Sequence, residues 1–201
     1  MSVDAVVFDF GGVLFDWNPR YLYRKIFKDE NEMEYFLSEV CPMTWNLELD
    51  KGKTFEQGCI ERKALFPQYA EQIDAYNARW PEMFGEPFYE THEILKNLAK
   101  IRPLYGLTNW PAEKFAWFRK RHDIFNYLQG IVVSGEEGIV KPDPALYDRL
   151  IKRYGLTAEN TVFIDDSVIN VEGAKNCGWQ AILFENPAAL RQRLSELGLS
   201  V

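Results

Sequence analysis

Residues 6–14, Val-Val-Phe-Asp-Phe-Gly-Gly-Val-Leu, join an apolar run to one carboxylate and then to two glycines. The apolar run predicts a buried strand, and the glycines let the backbone approach a ligand closely. In open parallel sheets, ligands bind outside the carboxyl ends of the strands. Asp9 is therefore a candidate nucleophile at a ligand site. The same pattern also fits a strand that runs into a tight turn whose Asp bonds its own loop.

The composition excludes several classes of protein. The chain has 201 residues, a net charge of -7, 47% hydrophobic and 26% charged residues, which is typical of a globular protein with one large domain or one domain with an insertion. The acidic balance argues against a nucleic-acid partner, and no run is apolar enough for a membrane span or a secretory signal. Cys41, Cys59 and Cys177 are spaced irregularly, as expected of reduced thiols in a cytoplasmic protein.

The two histidines, His92 and His122, are expected at the surface or at helix ends. Neither belongs to a pattern of metal ligands or of a catalytic triad. Acid-base and nucleophilic chemistry is therefore left to carboxylates, lysine or hydroxyl groups.

Apolar runs alternate with segments of helical spacing through most of the chain. The predicted strands are 5–10, 103–107, 130–133, 161–164 and 180–184. The predicted helices that accompany the later strands are 89–100, 111–122, 144–154, 168–177 and 187–197. This alternation predicts an α/β fold, with a doubly wound parallel sheet covered by helices on both faces.

Residues 16–86 interrupt the alternation. Helical segments are predicted at 20–27, 32–40, 54–65 and 69–83, with no convincing strand between them. An insertion at this point would form an α-helical lid over the strand ends and return through residues 81–87, which are rich in Pro and Gly. Its aromatic residues, including Trp45 and Trp80, are expected to form the core of the lid rather than a ligand box.

Three later strand ends carry polar residues. Thr108 and Asn109 offer a hydroxyl and an amide to a phosphate oxygen, although Thr108 fits equally well as the N-cap of the next helix. Lys141 precedes prolines beside a helix start that favours anions, although a lysine is more often solvated. Asp165 and Asp166 would repel each other without a bound cation, and oxygen ligands without a Cys or His cluster favour Mg²⁺ over zinc.

Taken in order, these four elements resemble the motifs of the haloacid dehalogenase superfamily of hydrolases. The matching stretches are residues 8–14, 107–109, 141–142 and 163–167. The resemblance covers the whole chain and implies a Rossmann-like core of residues 1–15 and 87–201, with a C1-type helical cap at 16–86. The first motif, with its glycines, is similar to that of a bacterial branch that includes a glucose-1-phosphate phosphatase.

The resemblance implies a phosphatase that hydrolyses a small phosphorylated metabolite. Asp9 would attack phosphorus and form an aspartyl-phosphate, which splits one hard displacement into two easier ones. Thr108 and Lys141 would hold the transferring phosphoryl oxygens, and Lys141 would keep Asp9 ionised. The residues expected to contact the substrate are Asp9, Gly11, Gly12, Thr108, Asn109 and Lys141.

The resemblance also implies a Mg²⁺ site. Its candidate ligands are Asp9, the backbone carbonyl of Gly11, Asp166 and Asp165. Successive side chains on a strand point to opposite faces, so both neighbouring carboxylates need not touch the ion. The family pattern makes Asp166 the direct ligand and gives Asp165 and Asn170 supporting positions.

Gly11 departs from the pattern of most phosphatases in this superfamily. They carry a second Asp at this position, which protonates the leaving group and then activates water. General acid-base catalysis contributes on the order of a hundred to ten thousand fold. We therefore expect either substrates with easier leaving groups, such as sugar 1-phosphates, or a proton donor from the cap or from water. Asp16 is a weak candidate for that donor and fits better as the cap of the first lid helix.

Other functions stay open at this point. A metal-free 2-haloacid dehalogenase would also use Asp9 and would also lack the second Asp, but it would not need the Asp165-Asp166 pair. A phosphate-binding protein made catalytically weak or inactive by Gly11 is a further alternative, whereas a phosphomutase would depend on the missing residue. The oligomeric state is not predicted. Candidate selectivity residues in the lid are Trp17, Tyr21, Trp45, Asn46 and Asp50.

Overall fold

A computed structural model describes residues 2–201 and contains seven strands. They are β1 (Ala5–Phe8), β2 (Phe15–Trp17), β3 (Phe84–Pro87), β4 (Leu104–Thr108), β5 (Gly130–Val133), β6 (Thr161–Asp165) and β7 (Gln180–Leu183). Five of them form a parallel sheet in the order β5-β4-β1-β6-β7. Val6 of β1 pairs with Leu104 on one side and with Val162 on the other. The strand order therefore reverses at β1, where such sheets open a crevice for ligands.

Eleven α-helices accompany the strands in the described chain. They are α1 (Arg20–Tyr23), α2 (Glu30–Tyr35), α3 (Met43–Asp50), α4 (Phe55–Leu65), α5 (Ala70–Ala78), α6 (Tyr89–Leu98), α7 (Ala112–Arg119), α8 (Ser134–Glu137), α9 (Pro144–Tyr154), α10 (Val168–Asn176) and α11 (Pro187–Glu196). Residues Phe36–Val40 continue α2 as a π-helical turn. None of the helices within residues 2–201 has the length and apolarity needed to span a membrane.

The sheet is covered by helices on both faces, which confirms the predicted doubly wound α/β fold. Because strand side chains alternate in direction, Val6 and Phe8 belong to one core and Val7 to the other. The first core includes apolar residues of α6, α7 and α11, and the second includes those of α9 and α10. All four residues of β1 are buried, as expected of a central parallel strand.

Local sequence signals determine where the helices begin and end. Asp143 accepts a hydrogen bond from the backbone N–H of Ala145 at 2.9 Å and so caps α9, whose first residue is a proline. Gly155 ends the same helix with φ of 63°, a conformation that favours glycine. Asn186 caps α11 in the same way, with 2.9 Å to the N–H of Ala189. These signals explain why the predicted bounds of both helices agree closely with the structure.

A two-stranded ribbon that was not predicted joins the inserted segment to the sheet. No strand lies between the helices of the insertion, as predicted. β2 and β3 pair antiparallel, with Phe15 opposite Pro87 and Trp17 opposite Phe84. The chain leaves the sheet and returns to it side by side, and α1 to α5 lie between the two ribbon strands in sequence. Asp16 lies in β2 and accepts a hydrogen bond from the hydroxyl of Tyr21, so it does not cap the first helix as predicted.

The histidines and cysteines lie outside the candidate site. His92 is buried rather than at the surface, and its Nε2 lies 3.0 Å from the carbonyl oxygen of Leu14. His122 stacks on Phe118 with 4.2 Å between ring centroids. The three cysteines are free thiols. These residues therefore contribute to packing in the described chain.

Candidate active site

A cavity of about 280 Å³ opens where β1 and β6 end, beneath α3 and the ribbon. The main chain provides two glycines, Gly11 and Gly12, directly after Asp9. The residues that line the cavity are Asp9, Gly11, Gly12, Trp17, Met43, Asn46, Leu47, Asp50, Trp80, Phe84, Asn109, Trp110, Pro111 and Asp166. Charged and polar groups from the sheet therefore meet aromatic and apolar groups from the insertion.

Lys141 is the buried cation of the site. Its Nζ lies 2.9 Å from Oδ2 of Asp9 and 2.6 Å from Oδ2 of Asp165, and it donates to the carbonyl of Leu107 at 3.0 Å. The residue is 2% exposed. Three acceptors hold one ammonium group, so its position is fixed and its charge is offset. The alternative of a solvated surface lysine therefore does not apply, since Lys141 is buried in the site.

Asn109 holds the backbone of Lys141 in place. Its Oδ1 accepts from the N–H of Lys141 at 2.8 Å, and its Nδ2 donates to the carbonyl of the same residue at 3.1 Å. Both polar atoms of this side chain are therefore engaged with the lysine loop. The peptide bond between Lys141 and Pro142 is cis.

Asp165 is fully buried and makes hydrogen bonds through both carboxylate oxygens. Its Oδ1 accepts from the N–H of Ser167 at 2.8 Å, and Nδ2 of Asn170 lies 3.1 Å and 3.2 Å from the two oxygens. With the Lys141 contact to Oδ2, the acceptor positions of this carboxylate are largely used. Its surroundings are those of a group that positions Lys141.

Asp9 and Asp166 have carboxylate oxygens available for other partners. Oδ1 of Asp9 is buried and has no hydrogen-bond partner, and Asp166 makes no side-chain hydrogen bond within residues 2–201. Asp9, Asp165 and Asp166 each offer an oxygen, and these three atoms lie within 4.8 Å of one another. This set of hard oxygen donors fits Mg²⁺.

Gly12 is required by the close approach of Asp166. Its φ is 75°, a conformation that side chains rarely adopt, and a Cβ atom at this position would overlap the Asp166 carboxylate. Gly11 is different, because a Cβ atom there would have no heavy atom within 4 Å. The second glycine therefore lets the carboxylate approach the loop, and the first leaves open space beside it.

The charges of the site are unbalanced. Burial raises the pKa of Asp9 to about 8, and the Asp165 and Asp166 carboxylates add to this effect while Lys141 opposes it. Burial and Asp165 also raise the pKa of Asp166. Burial lowers the pKa of Lys141, but the carboxylates of Asp165 and Asp9 outweigh it, and the pKa lies above its ordinary value. Three carboxylates thus surround one ammonium group, an arrangement that a further cation would stabilise.

Thr108 lies at the end of β4 and is 1% exposed. It does not cap α7, which begins after Pro111. Its hydroxyl has no hydrogen-bond partner. A buried hydroxyl without a partner costs free energy, so a ligand that accepts from it would be favoured.

The structure brings most of the predicted site residues to one edge of the sheet. Of the five lid residues named as selectivity candidates, Trp17, Asn46 and Asp50 line the cavity. Trp45 packs in the helical core instead, with its ring centroid 4.9 Å from that of Tyr76. Trp80 was expected in that core, and it lines the cavity as well.

Several cavity residues were not predicted from the sequence. They are Met43, Leu47, Phe84, Trp110 and Pro111. Met43, Asn46, Leu47 and Asp50 lie three or four residues apart, which places them on one face of α3. That spacing is the signal that could have revealed this wall. Apolar residues lie on both sides of α3, Met43 and Leu47 at the cavity and Trp45 and Leu49 in the core, so no wholly polar face marks it as an amphipathic helix.

The site thus combines a buried carboxylate, an ammonium group and a carboxylate cluster at the switch point of a parallel sheet, an arrangement that fits a hydrolase. The chain belongs to the haloacid dehalogenase-like hydrolase family, whose model matches residues 3–178. The relatives that it matches over nearly its full length include phosphatases, and the chain is a phosphoric monoester hydrolase of this family. This confirms the resemblance seen in the motifs, whereas the similarity to glucose-1-phosphate phosphatase stays a prediction.

Two relatives and one solved structure illustrate the similarity. The chain is 28% identical over 204 residues to a sesquiterpene phosphatase of Aspergillus oryzae, covering 96% of this chain and 95% of the relative. It is 32% identical over 168 residues to a flavin mononucleotide hydrolase of Arabidopsis thaliana, covering 80% of this chain and 64% of the relative. A haloacid dehalogenase family enzyme from Bacteroides thetaiotaomicron, with magnesium and inorganic phosphate, has a TM-score of 0.70 at 23% identity, covering 92% of this chain and 96% of that one.

Proposed function

We propose that this protein is a Mg²⁺-dependent phosphatase that hydrolyses a small phosphate monoester through an aspartyl-phosphate on Asp9. The observation that carries the proposal is the state of Asp9. One of its oxygens lies 2.9 Å from the Lys141 ammonium, and the other is buried without a partner. A carboxylate oriented through one oxygen, with the other oxygen available for attack, is suited to nucleophilic catalysis.

The covalent step transfers a phosphoryl group in two displacements. Asp9 forms a bond to phosphorus as the bond between phosphorus and the ester oxygen breaks, and that oxygen takes a proton from the inserted segment or from water as it leaves. Water then attacks phosphorus, the bond to Asp9 breaks, and inorganic phosphate is released. The hydroxyl of Thr108, which has no partner within residues 2–201, donates a hydrogen bond to a phosphoryl oxygen. The positive charge of Lys141 stabilises the charge of the phosphoryl group during both steps.

Mg²⁺ would be held by Asp9, Asp166 and the backbone carbonyl of Gly11. When bound, the ion offsets repulsion between the nucleophile and an anionic substrate. We place Asp165 outside the ligand set, although the sequence made it a candidate, because both of its oxygens already accept hydrogen bonds. Asp165, Asn109 and Asn170 then position Lys141 and its loop.

The walls of the cavity suggest the kind of substrate. Trp17, Leu47 and Phe84 are among seven apolar or aromatic lining residues, the others being Met43, Trp80, Trp110 and Pro111. The polar side chains outside the charged cluster that line the cavity are few, namely Asn46, Asp50 and Asn109, and Asn109 is already engaged with the backbone of Lys141. We therefore propose that the substrate is a phosphate ester with an apolar or aromatic organic part. The sugar phosphate expected above followed from the leaving group alone. The sesquiterpene phosphatase among the relatives is consistent with an apolar organic part.

The proposal is tested with purified protein on geranyl phosphate, glucose 1-phosphate and a 2-haloacid, each with Mg²⁺ and with EDTA. We expect turnover of phosphate esters with Mg²⁺ only, and a kcat/KM about a hundredfold higher for geranyl phosphate than for the sugar phosphate. Turnover that persists in EDTA would overturn the metal requirement. Activity confined to the haloacid would select the dehalogenase.

The role of Asp9 is tested by Asp9→Asn, with the exposed Asp148→Asn as a matched control. We expect Asp9→Asn to lose activity by a factor on the order of ten thousand or more, since no other carboxylate can form the intermediate. The control should retain full activity. Rapid quenching of wild-type protein with ³²P-labelled substrate should trap label on Asp9. Full activity of Asp9→Asn, or no covalent label, would contradict the aspartyl-phosphate.

A further inference from the structure

We propose that Asp50, at the end of α3, is the acid-base residue of the reaction. It would perform the role that Gly11, which has no side chain, cannot perform. This inference rests on the proposed phosphatase function. Asp50 lies about forty residues from Asp9 in sequence, yet both line the same cavity, together with Gly11. The carboxyl group of Asp50 therefore faces the same cavity as Asp9 and comes from a helix of the inserted segment.

The space at Gly11 is open. A Cβ atom built there would have no heavy atom within 4 Å, and the backbone of Gly11 is not among those with positive φ. An acidic side chain could be accommodated at this position, but none is present. No other side chain of residues 2–201 fills the space around that Cβ. A proton donor supplied by a side chain would therefore come from another part of the cavity wall.

Asp50 is the remaining carboxyl group in the lining, apart from Asp9 and Asp166. Lys141 pairs with Asp9 and Asp165, and Asp50 forms no salt bridge within the described chain. Among the remaining lining side chains, the tryptophan indoles are too weakly acidic to exchange a proton with an ester oxygen. Asp50 is thus the lining group outside the proposed metal site that is suited to act first as an acid and then as a base.

A hydrogen-bonded chain fixes the orientation of Asp50. The hydroxyl of Tyr76 donates to Oδ1 of Asn46 at 2.9 Å, so Nδ2 of Asn46 is left to donate to Oδ2 of Asp50, also at 2.9 Å. Oδ1 of Asp50 has no hydrogen bond to residues 2–201. One oxygen is therefore anchored, and the other is available to a substrate.

The backbone of Asp50 is anchored to the sheet as well. The hydroxyl of Ser134, directly after β5, donates to the carbonyl oxygen of Asp50 and accepts from the N–H of Trp110 at 2.9 Å. Asp50 is 7% exposed, so it is largely shielded from bulk water. Groups held in this way meet the requirement that a catalytic side chain be positioned by its supporting contacts.

The protonation state of Asp50 agrees with this role. Burial raises its pKa to about 7, against the opposing effect of the Lys141 charge. A pKa near the working pH lets one group donate a proton in one step and accept it in the next.

The proton balance of the two steps is complete. In the first step, the bond between Asp9 and phosphorus forms, the ester bond breaks, and the Asp50 proton passes to the leaving oxygen. In the second step, the Asp50 carboxylate takes a proton from the attacking water, the bond to Asp9 breaks, and phosphate leaves. Asp50 ends the cycle protonated.

The test measures the first turnover of Asp50→Asn on two substrates of similar shape, benzyl phosphate and p-nitrophenyl phosphate. Quenched-flow release of the alcohol reports only the step in which the leaving group departs. Benzyl alkoxide needs a proton, whereas p-nitrophenolate leaves without one. We expect the first-turnover rate to fall on the order of a hundredfold or more for benzyl phosphate and less than about tenfold for p-nitrophenyl phosphate.

Two further variants separate proton transfer from a structural role. Glu48→Gln makes the same chemical change at an exposed position of α3 and should leave both rates unchanged. Adding Gly11→Asp to Asp50→Asn should raise the benzyl phosphate rate at least about tenfold above that of Asp50→Asn. An equal loss on both substrates, no loss on either, or no recovery in the double variant would overturn the assignment. Asp9→Asn reports separately on the proposed function, because it should be inactive on both substrates whatever the role of Asp50.

Discussion

The two walls of the cavity are built on different principles. On the sheet wall, Lys141 is held by contacts with Asp9, Asp165 and a backbone carbonyl. The wall from α3 and the ribbon is mainly aromatic and apolar, with one hydrogen-bonded pair, Asn46 and Asp50. Rigid strand ends suit groups that must keep their geometry during phosphoryl transfer. The wall from α3 and the ribbon, called the inserted wall below, is suited to select the organic part of the substrate.

The largest effect is expected from the sheet wall. Lys141→Met removes the ammonium from between two buried carboxylates, and Asp165 is fully buried. Activity should fall on the order of a thousandfold or more, and the free energy of unfolding should fall by about 3–5 kcal/mol. Kinetic assays and urea denaturation measure the two losses.

Lys152→Met is the matched control, since Lys152 is exposed and pairs only with Asp148. Its free energy of unfolding should change by less than about 0.5 kcal/mol. Equal stability of the two lysine variants would show that Lys141 does not hold the sheet wall together.

A smaller effect is expected where the two walls meet. Ser134→Ala leaves the N–H of Trp110 and the carbonyl of Asp50 without their shared partner. Loss of such buried bonds should lower the free energy of unfolding by about 1–3 kcal/mol. Thermal and urea unfolding can be compared with Ser195→Ala, an exposed serine of α11. If both serine variants were equally stable, the link between the walls would not contribute to stability.

The sheet wall was largely predictable from the sequence. A parallel sheet places all of its carboxyl strand ends at one edge, so residues that follow separate strands, such as Asp9, Thr108 and Asp165, were expected together. Periodicity and caps also located α9 and α11 closely. The partners of Lys141 could not be predicted in this way, because side-chain contacts depend on the fold and not on local pattern.

The inserted wall was predicted poorly, for two physical reasons. The strands of the ribbon are three and four residues long and are stabilised by pairing across some seventy residues of chain, which local propensity does not record. α3 places Trp45 and Leu49 in the core and Met43 and Leu47 at the cavity, so it lacks the polar face that marks an amphipathic helix. The proposed division into core and cap at residues 15 and 87 stays a prediction.

A substitution on the inserted wall should alter the preference between substrates without altering the catalytic step. Leu47 lines the cavity and is 39% exposed. In Leu47→Ser, kcat/KM for geranyl phosphate should fall about tenfold, because part of an apolar contact is lost. The value for glucose 1-phosphate should stay nearly constant. Leu65→Ser, at an exposed position of α4 outside the cavity, is the control. Equal losses on both substrates would place Leu47 in the catalytic machinery instead.

The smallest effect is expected at the junction of the two regions, where His92 bonds the carbonyl of Leu14 at 3.0 Å. Burial lowers the pKa of His92 below its ordinary value of 6.5, and Lys96 and His122 act in the same direction, against the hydrogen bond to Leu14. As pH falls below 6.5, the unfolded chain takes up a proton that the folded histidine resists. The stability contributed by neutral His92 is therefore present above that pH and lost below it. Urea denaturation from pH 7.5 to 5 should show a steeper loss for wild type than for His92→Gln, and parallel curves would contradict the assignment.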